Sequence, residues 1–256
     1  MKKIFSYNPD IEKNAYLNWM TNKTHPRYNF IVLAEGYFKA AISLAENCLN
    51  DNIDKKADVM VFPMLFTINH AIELYEKSLC WSLNILLGYN STFKPNHDIR
   101  GNWYTIKNKI KEYGFGYGRE ESEFNKMIID LEAYIEELSN LIKTDNVNDA
   151  YYNIDFCRYP LNNRNEDHFY LNTYENVVVD LENFIITFNQ IGNLLKILAE
   201  YYYYLSIEKT WYWLIIYLVF RLNSHACNFR KTIIWRELGN MSENSKIIGI
   251  IEIRAC

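Results

Sequence analysis

"DVMVFPMLFTINHAIELYEKSLCWSLNILL", Asp58 to Leu87, decides the fold. Val61, Leu65, Ile68, Ile72, Tyr75 and Leu79 recur at alternating steps of three and four for more than five turns, the signature of an α-helix with a buried stripe. At about 100 degrees per residue, Met64, Ala71, Leu74, Trp81 and Ile85 fall outside that stripe, so apolar surface covers most of the circumference. Such a helix is predicted to be central, and Gly88 ends it.

The same alternation marks a helix from Tyr28 to Leu49, with Phe30, Leu33, Tyr37, Ala41, Leu44 and Cys48 as its stripe. A shorter, more basic third helix is expected in "HDIRGNWYTIKNKIKEYG", capped at Asn96 and stopped by Gly114. "GFGYG" (Gly114–Gly118) has no preceding strand or following GK[ST], so it reads as a turn rather than a phosphate cradle. A charged helix over Arg119–Ile142 places Phe124, Ile128, Leu131, Ile135, Leu138 and Ile142 inward and a solvated acidic face outward. Residues at about 150–172 are rich in strand formers around "LNNRNED" and are read as a small β-hairpin. Asn172, with Glu175 three residues on, is expected to cap a last long helix whose stripe is Val178, Leu181, Ile185, Phe188, Leu195, Leu198 and Tyr202. This helix should pack beside the second.

The expectation is a mainly α bundle of about five long helices with a small β-hairpin insertion. Residues 1–205 form its domain, and 206–256 a helical or irregular extension docked on it. The scarcity of Gly (9) and Pro (5) against 21 Tyr, 14 Phe and 6 Trp agrees with long helices rather than many tight turns. Net charge is -4, which excludes general coating of nucleic acid and leaves only a local basic patch for such a role. Cys48, Cys80, Cys157, Cys227 and Cys256 lie far apart without CxxC, so free thiols in a reducing cytosol are expected, with no metal and no cofactor. The N-terminus turns polar where an export signal needs an apolar stretch, and "WYWLIIYLVF" (Trp211–Phe220) is half the length of a bilayer span. A cytoplasmic protein without membrane association is the expectation.

Asn69, His70 and Glu73 share the second helix and lie within a turn of one another, so they form either an acid/base set or a buried polar joint. A buried Glu73 needs a cation, and Lys77 at i+4 or an arginine from another helix is the simplest. His97 and Asp98 at the start of the third helix are a capping pair or line a cleft. Around the expected hairpin stand Arg158, Arg164, Glu166, Asp167 and His168, either a solvated turn or the cation and proton shuttle that metal-independent RNA cleavage requires. Arg221 and His225 are a similar, weaker pair, one turn apart.

The order "FPMLFTINHAIELYEKSL", "HDIRGNWYTIKNKI", then "FCRYP" before a further long helix resembles the HEPN superfamily (higher eukaryote and prokaryote nucleotide-binding) over residues 28 to 205. The resemblance implies a four- to five-helix bundle, often dimeric. Active members resemble metal-independent ribonucleases of toxin-antitoxin and phage-defence systems, with an arginine, four to six residues, then a histidine. This chain departs from that pattern: nine residues separate Arg158 from His168, and three separate Arg164 from His168. The leading expectation is therefore a protein that works by protein-protein binding to a toxin, antitoxin or defence component, as a monomer or homodimer. Exposed Tyr and Trp suit such contacts, and the acidic stretch Glu120–Glu137 suits a basic toxin. The alternative is RNA cleavage, with Arg164 and His168 as first choice and Arg158 second.

Overall fold

The structure is a computed structural model that describes residues 2–89, 92–93, 96–116, 120–142, 154–162, 165–171 and 173–223, with backbone alone from 211 onward, and the backbone of Lys231–Arg236 and Ile248–Ile253. It is mainly helical: α1 (Pro26–Asn50), α2 (Ala57–Leu87), α3 (Ile99–Tyr113), α4 (Glu121–Met127), α5 (Ile129–Leu141) and α6 (Leu181–Asn223). The two C-terminal segments pair antiparallel, with Lys231 opposite Ile253 and Arg236 opposite Ile248.

α2 is the central element, packed by α1, α3 and α6. Ile68, Ile72, Tyr75 and Leu79 are buried as the periodicity requires, and so are Met64, Ala71 and Leu74 from its other faces. By length and composition α2 could also cross a membrane, but its neighbours account for its burial as a core helix. Gly88 (φ 80°) closes it: the Gly88 N–H bonds to the Ile85 carbonyl and the Tyr89 N–H to that of Asn84, so the last carbonyls are satisfied in a Schellman turn.

α1 buries Ala41 and Cys48 of the expected stripe and half-buries Phe30 and Leu44, but its fully buried face is rotated from that stripe. Ile31, Ala34, Phe38, Ala41, Ile42, Ala45 and Cys48 face inward, while Leu33 and Tyr37 are exposed. Both faces are apolar in sequence, and packing selects the one carrying three alanines, which lets the α1 and α2 backbones approach closely. A similar economy of bulk joins α1 to α6 at Gly192, where an added Cβ would lie 2.4 Å from the Phe38 ring.

α3 starts at Asp98, not Asn96: the Asp98 Oδ1 accepts from the Gly101 N–H at 2.9 Å. The expected fourth helix is two, because the backbone at Ile128 (φ -96°, ψ 2°) leaves the α-region, yet the inward stripe of Phe124, Ile128, Leu131, Ile135 and Leu138 survives the break. Its acidic face is not simply solvated. Arg100 meets Glu136 at 3.1 Å, Lys111 meets Glu121 at 2.8 Å, and Lys107 meets Glu132, so the basic third helix and acidic fourth and fifth are charge-matched. Each such exposed pair contributes at most about 1 kcal/mol, and together they fix relative orientation.

The hairpin is not found among the described residues of its span. Ile154–Cys157 forms one 3-10 turn, and a single antiparallel bridge joins Leu161 to Asp167. Asn162 closes that turn by accepting the Glu166 N–H and by donating from its own N–H to the Glu166 carbonyl, so side-chain chemistry replaces a strand ladder. Asn172 lies outside the described residues, and α6 begins nine residues beyond it. Val177, Val178 and Val179 are consecutive and β-branched, which disfavours helix, and Asp180 then accepts the N–H groups of Glu182 and Asn183 at 3.0 and 3.1 Å. From there Phe184, Phe188, Ile191, Leu195, Leu198 and Tyr202 are buried against α1 and α2, and the helix runs continuously past Leu205.

Candidate functional site

Glu73 sits on α2 where the start of α3 meets it. Its carboxylate, 1% exposed, accepts from Lys77 Nζ one turn on, lies 3.0 and 3.1 Å from His97 Nδ1 through its two oxygens, and is 3.7 Å from His70 Nδ1. Burial alone would raise the Glu73 pKa, but hydrogen bonds from His70, Lys77 and His97 outweigh it and hold the carboxyl at about 2. It is therefore an anion at every physiological pH, bonded by Lys77 and His97 with His70 close beside it.

The aromatic surroundings extend this knot along one stripe of α2. The His70 ring stacks on Phe66 (5.8 Å) and meets the edge of Tyr37 from α1 at 4.7 Å. The guanidinium of Arg158 stands 5.5 Å over the same Phe66 ring and 5.1 Å over Tyr159, with Asp155 at 3.6 Å. Lys77 lies over Phe93, which in turn contacts Phe30 and Trp81. His97 is 56% exposed, so one edge of its imidazole is anchored on Glu73 and the rest faces solvent. A carboxylate that orients an accessible imidazole is equipped to take or deliver a proton.

The expected residues are thus partly regrouped. His70 and Glu73 stay together, but Asn69 turns away: its carbonyl accepts from the Tyr134 hydroxyl of α5 at 2.7 Å, which ties α2 to α5. Arg158 joins the Glu73 neighbourhood through Phe66, whereas His168 stacks on Tyr170, which contacts Phe62 a turn earlier. Arg164 and His225 lie outside the described residues, as do Cys227 and Cys256. Cys48 and Cys157 are buried thiols, and Cys80 is half-buried. Among the described residues no group of three His, Cys, Asp or Glu side chains is arranged to hold a metal ion.

Sequence reasoning anticipated Lys77 as the cation for Glu73 and read His97 as a capping or cleft residue, whereas it reaches Glu73 from 24 residues away. A second buried acid was also missed. Glu76 is 1% exposed, and among the described residues no donor meets either carboxyl oxygen in good hydrogen-bond geometry, Asn102 being the nearest to do so. Burial first, then the charges of Glu73 and Asp98, raise its pKa well above the ordinary 4.5, with Asn102 and Lys77 offsetting part. A raised folded value means that Glu76 contributes stability fully below pH 4.5 and loses it as pH rises toward the folded value, at about 1.4 kcal/mol per pH unit. Glu76→Gln, which keeps the shape of the neutral acid, is expected to leave stability at pH 4 unchanged and to raise it at pH 7. Urea unfolding of both proteins at the two pH values checks this, and an equal offset at both would refute it.

A separate feature is the segment before α1. Its middle is clasped by Asn14, whose side chain donates to the Asn8 and Asp10 carbonyls and accepts the Asn8 N–H. Around that clasp Ile4, Phe5, Tyr7, Ile11, Tyr16, Leu17, Trp19 and Met20 are all exposed, Ile4 and Phe5 by almost nine-tenths. The segment is an ordered arm whose apolar side chains the bundle does not cover.

Comparison of the chain with family models, curated proteins and solved structures returns no match.

Proposed function

We propose that this chain is a HEPN-like helical protein that works by protein-protein contact, in a bacterial toxin-antitoxin, immunity or phage-defence module. The observation that carries this reading is the N-terminal arm: eight large apolar side chains within seventeen residues stand in solvent. Apolar side chains concentrated on an ordered segment favour association, since aromatic and branched residues dominate binding energy. The test is co-purification from the native host with the full chain and with Leu17→Glu/Trp19→Glu. A partner retained by the first and lost from the second supports the reading, and identical retention by both removes the arm from it.

A second reading, metal-independent RNA cleavage, is favoured by one arrangement: His70, His97, Lys77 and Arg158 gather around Glu73 and Phe66. Cations beside an aromatic face and an oriented imidazole suit a phosphodiester and its base. On this reading His97 and His70, with Arg158, replace the Arg164/His168 pair as the reactive groups.

A further inference from the structure

The outer face of α6 carries a shallow groove of about 360 Å³ lined by Ile197, Glu200, Tyr201, Tyr204, Leu205 and Glu208. Among the described residues, two carboxylates, two phenols and two branched apolar side chains line it, which suits an apolar segment with positive charge. The arm supplies such a segment: Lys2 and Lys3 are followed directly by Ile4 and Phe5, 89% and 87% exposed.

The arm's root already lies beside this groove. Tyr28 packs on Tyr203 at 5.1 Å, with His25 and Arg27 against the same ring, and Tyr204 and Glu200 act on the Tyr28 hydroxyl. In this chain the tip does not lie in its own groove. Local bonds hold it as a turn, with Lys2 Nζ donating to the Tyr7 carbonyl and the Ser6 hydroxyl to that of Lys3, and the Asn8/Asn14 clasp follows. A tip that is already ordered loses little conformational entropy on docking.

We infer that the Lys2–Phe5 tip of one copy docks in the α6 groove of a second copy, and reciprocally, so that two chains exchange arms. Ile4 and Phe5 enter between Ile197, Tyr204 and Leu205, and the two lysines meet Glu200 and Glu208. A two-fold dimer makes the contact twice, which doubles the area a single short tip can bury. The inference rests on the reading of the arm as a docking element and names one occupant for its tip.

The test uses the full chain and two charge-reversal variants, Lys2→Glu/Lys3→Glu and Glu200→Lys/Glu208→Lys, by sedimentation equilibrium. The wild type is expected to dimerise. Each variant repels itself, with dimer affinity lowered at least tenfold, while an equimolar mixture restores the dimer because each arm then finds a groove of opposite charge. A monomeric wild type, including one whose tip folds onto its own groove, overturns the inference. So does a dimer indifferent to the substitutions, or a mixture that fails to recombine. Retained co-purification of a partner sensitive to Leu17→Glu/Trp19→Glu would leave the binding reading standing when arm exchange fails.

Discussion

Glu73→Ala is expected to lower stability by about 3 kcal/mol or more, because it strands the Lys77 ammonium, 14% exposed, without its anion and removes the anchor of His97. For a domain of this size that corresponds to a fall of about 10 °C in Tm. The same carboxylate sets an acid limit. Its folded pKa of about 2 lies below the ordinary 4.5, so its contribution is present above pH 4.5 and is lost as pH falls toward 2, about 3 kcal/mol in all. Thermal melts of wild type and variant from pH 7 to pH 2.5 check both statements: the gap between the curves should narrow with acidification. A variant as stable as wild type at pH 7 would mean that the knot contributes nothing to the fold.

Tyr202→Ala is the second large effect, at about 3–5 kcal/mol. The ring is fully buried, contacts Tyr113 and Tyr201, and its hydroxyl donates to the Gly114 carbonyl at 2.8 Å, which pins the end of α3 against α6. Tyr202→Phe keeps the ring and loses the bond, so it should cost about 1 kcal/mol. Chemical denaturation of the pair separates the two contributions, and equal losses in both would show that packing of the ring is not what matters.

Periodicity located α2 to within a residue at its start because nearly every face of that helix is apolar and Gly88 is an unambiguous stop. On α1 it placed Ala41 and Cys48 inward but missed Ala34, Phe38 and Ala45, because two overlapping apolar stripes compete and tertiary packing chooses the one with more alanines. The late start of α6 follows from Val177–Val179, a local signal that the Asn172/Glu175 capping pattern masked. Strand-forming residues between α5 and α6 suggested a hairpin, but its described residues satisfy their backbone through the Asn162 clasp and one bridge. At the site, the i to i+4 bond from Lys77 to Glu73 was legible, since it is local. The arrival of His97 and Arg158 was not, since a loop and a 3-10 turn place them and no spacing rule spans those connections.

The Glu73 knot ties His97, at the start of α3, to the central helix, Arg158 docks two turns away on Phe66, and the arm projects from the bundle. Function by contact and function by catalysis make opposite demands on that knot. The former needs Glu73, Lys77 and His97 only to hold the structure; the latter needs the exposed edge of His97 to react. The decisive measurement is incubation of purified protein with RNA in EDTA, beside a His97→Ala variant whose Tm is measured in parallel. A protein that works by contact leaves the RNA intact even at high concentration. Cleavage by the wild type that disappears in a folded His97→Ala variant would contradict that account and make the knot an active site.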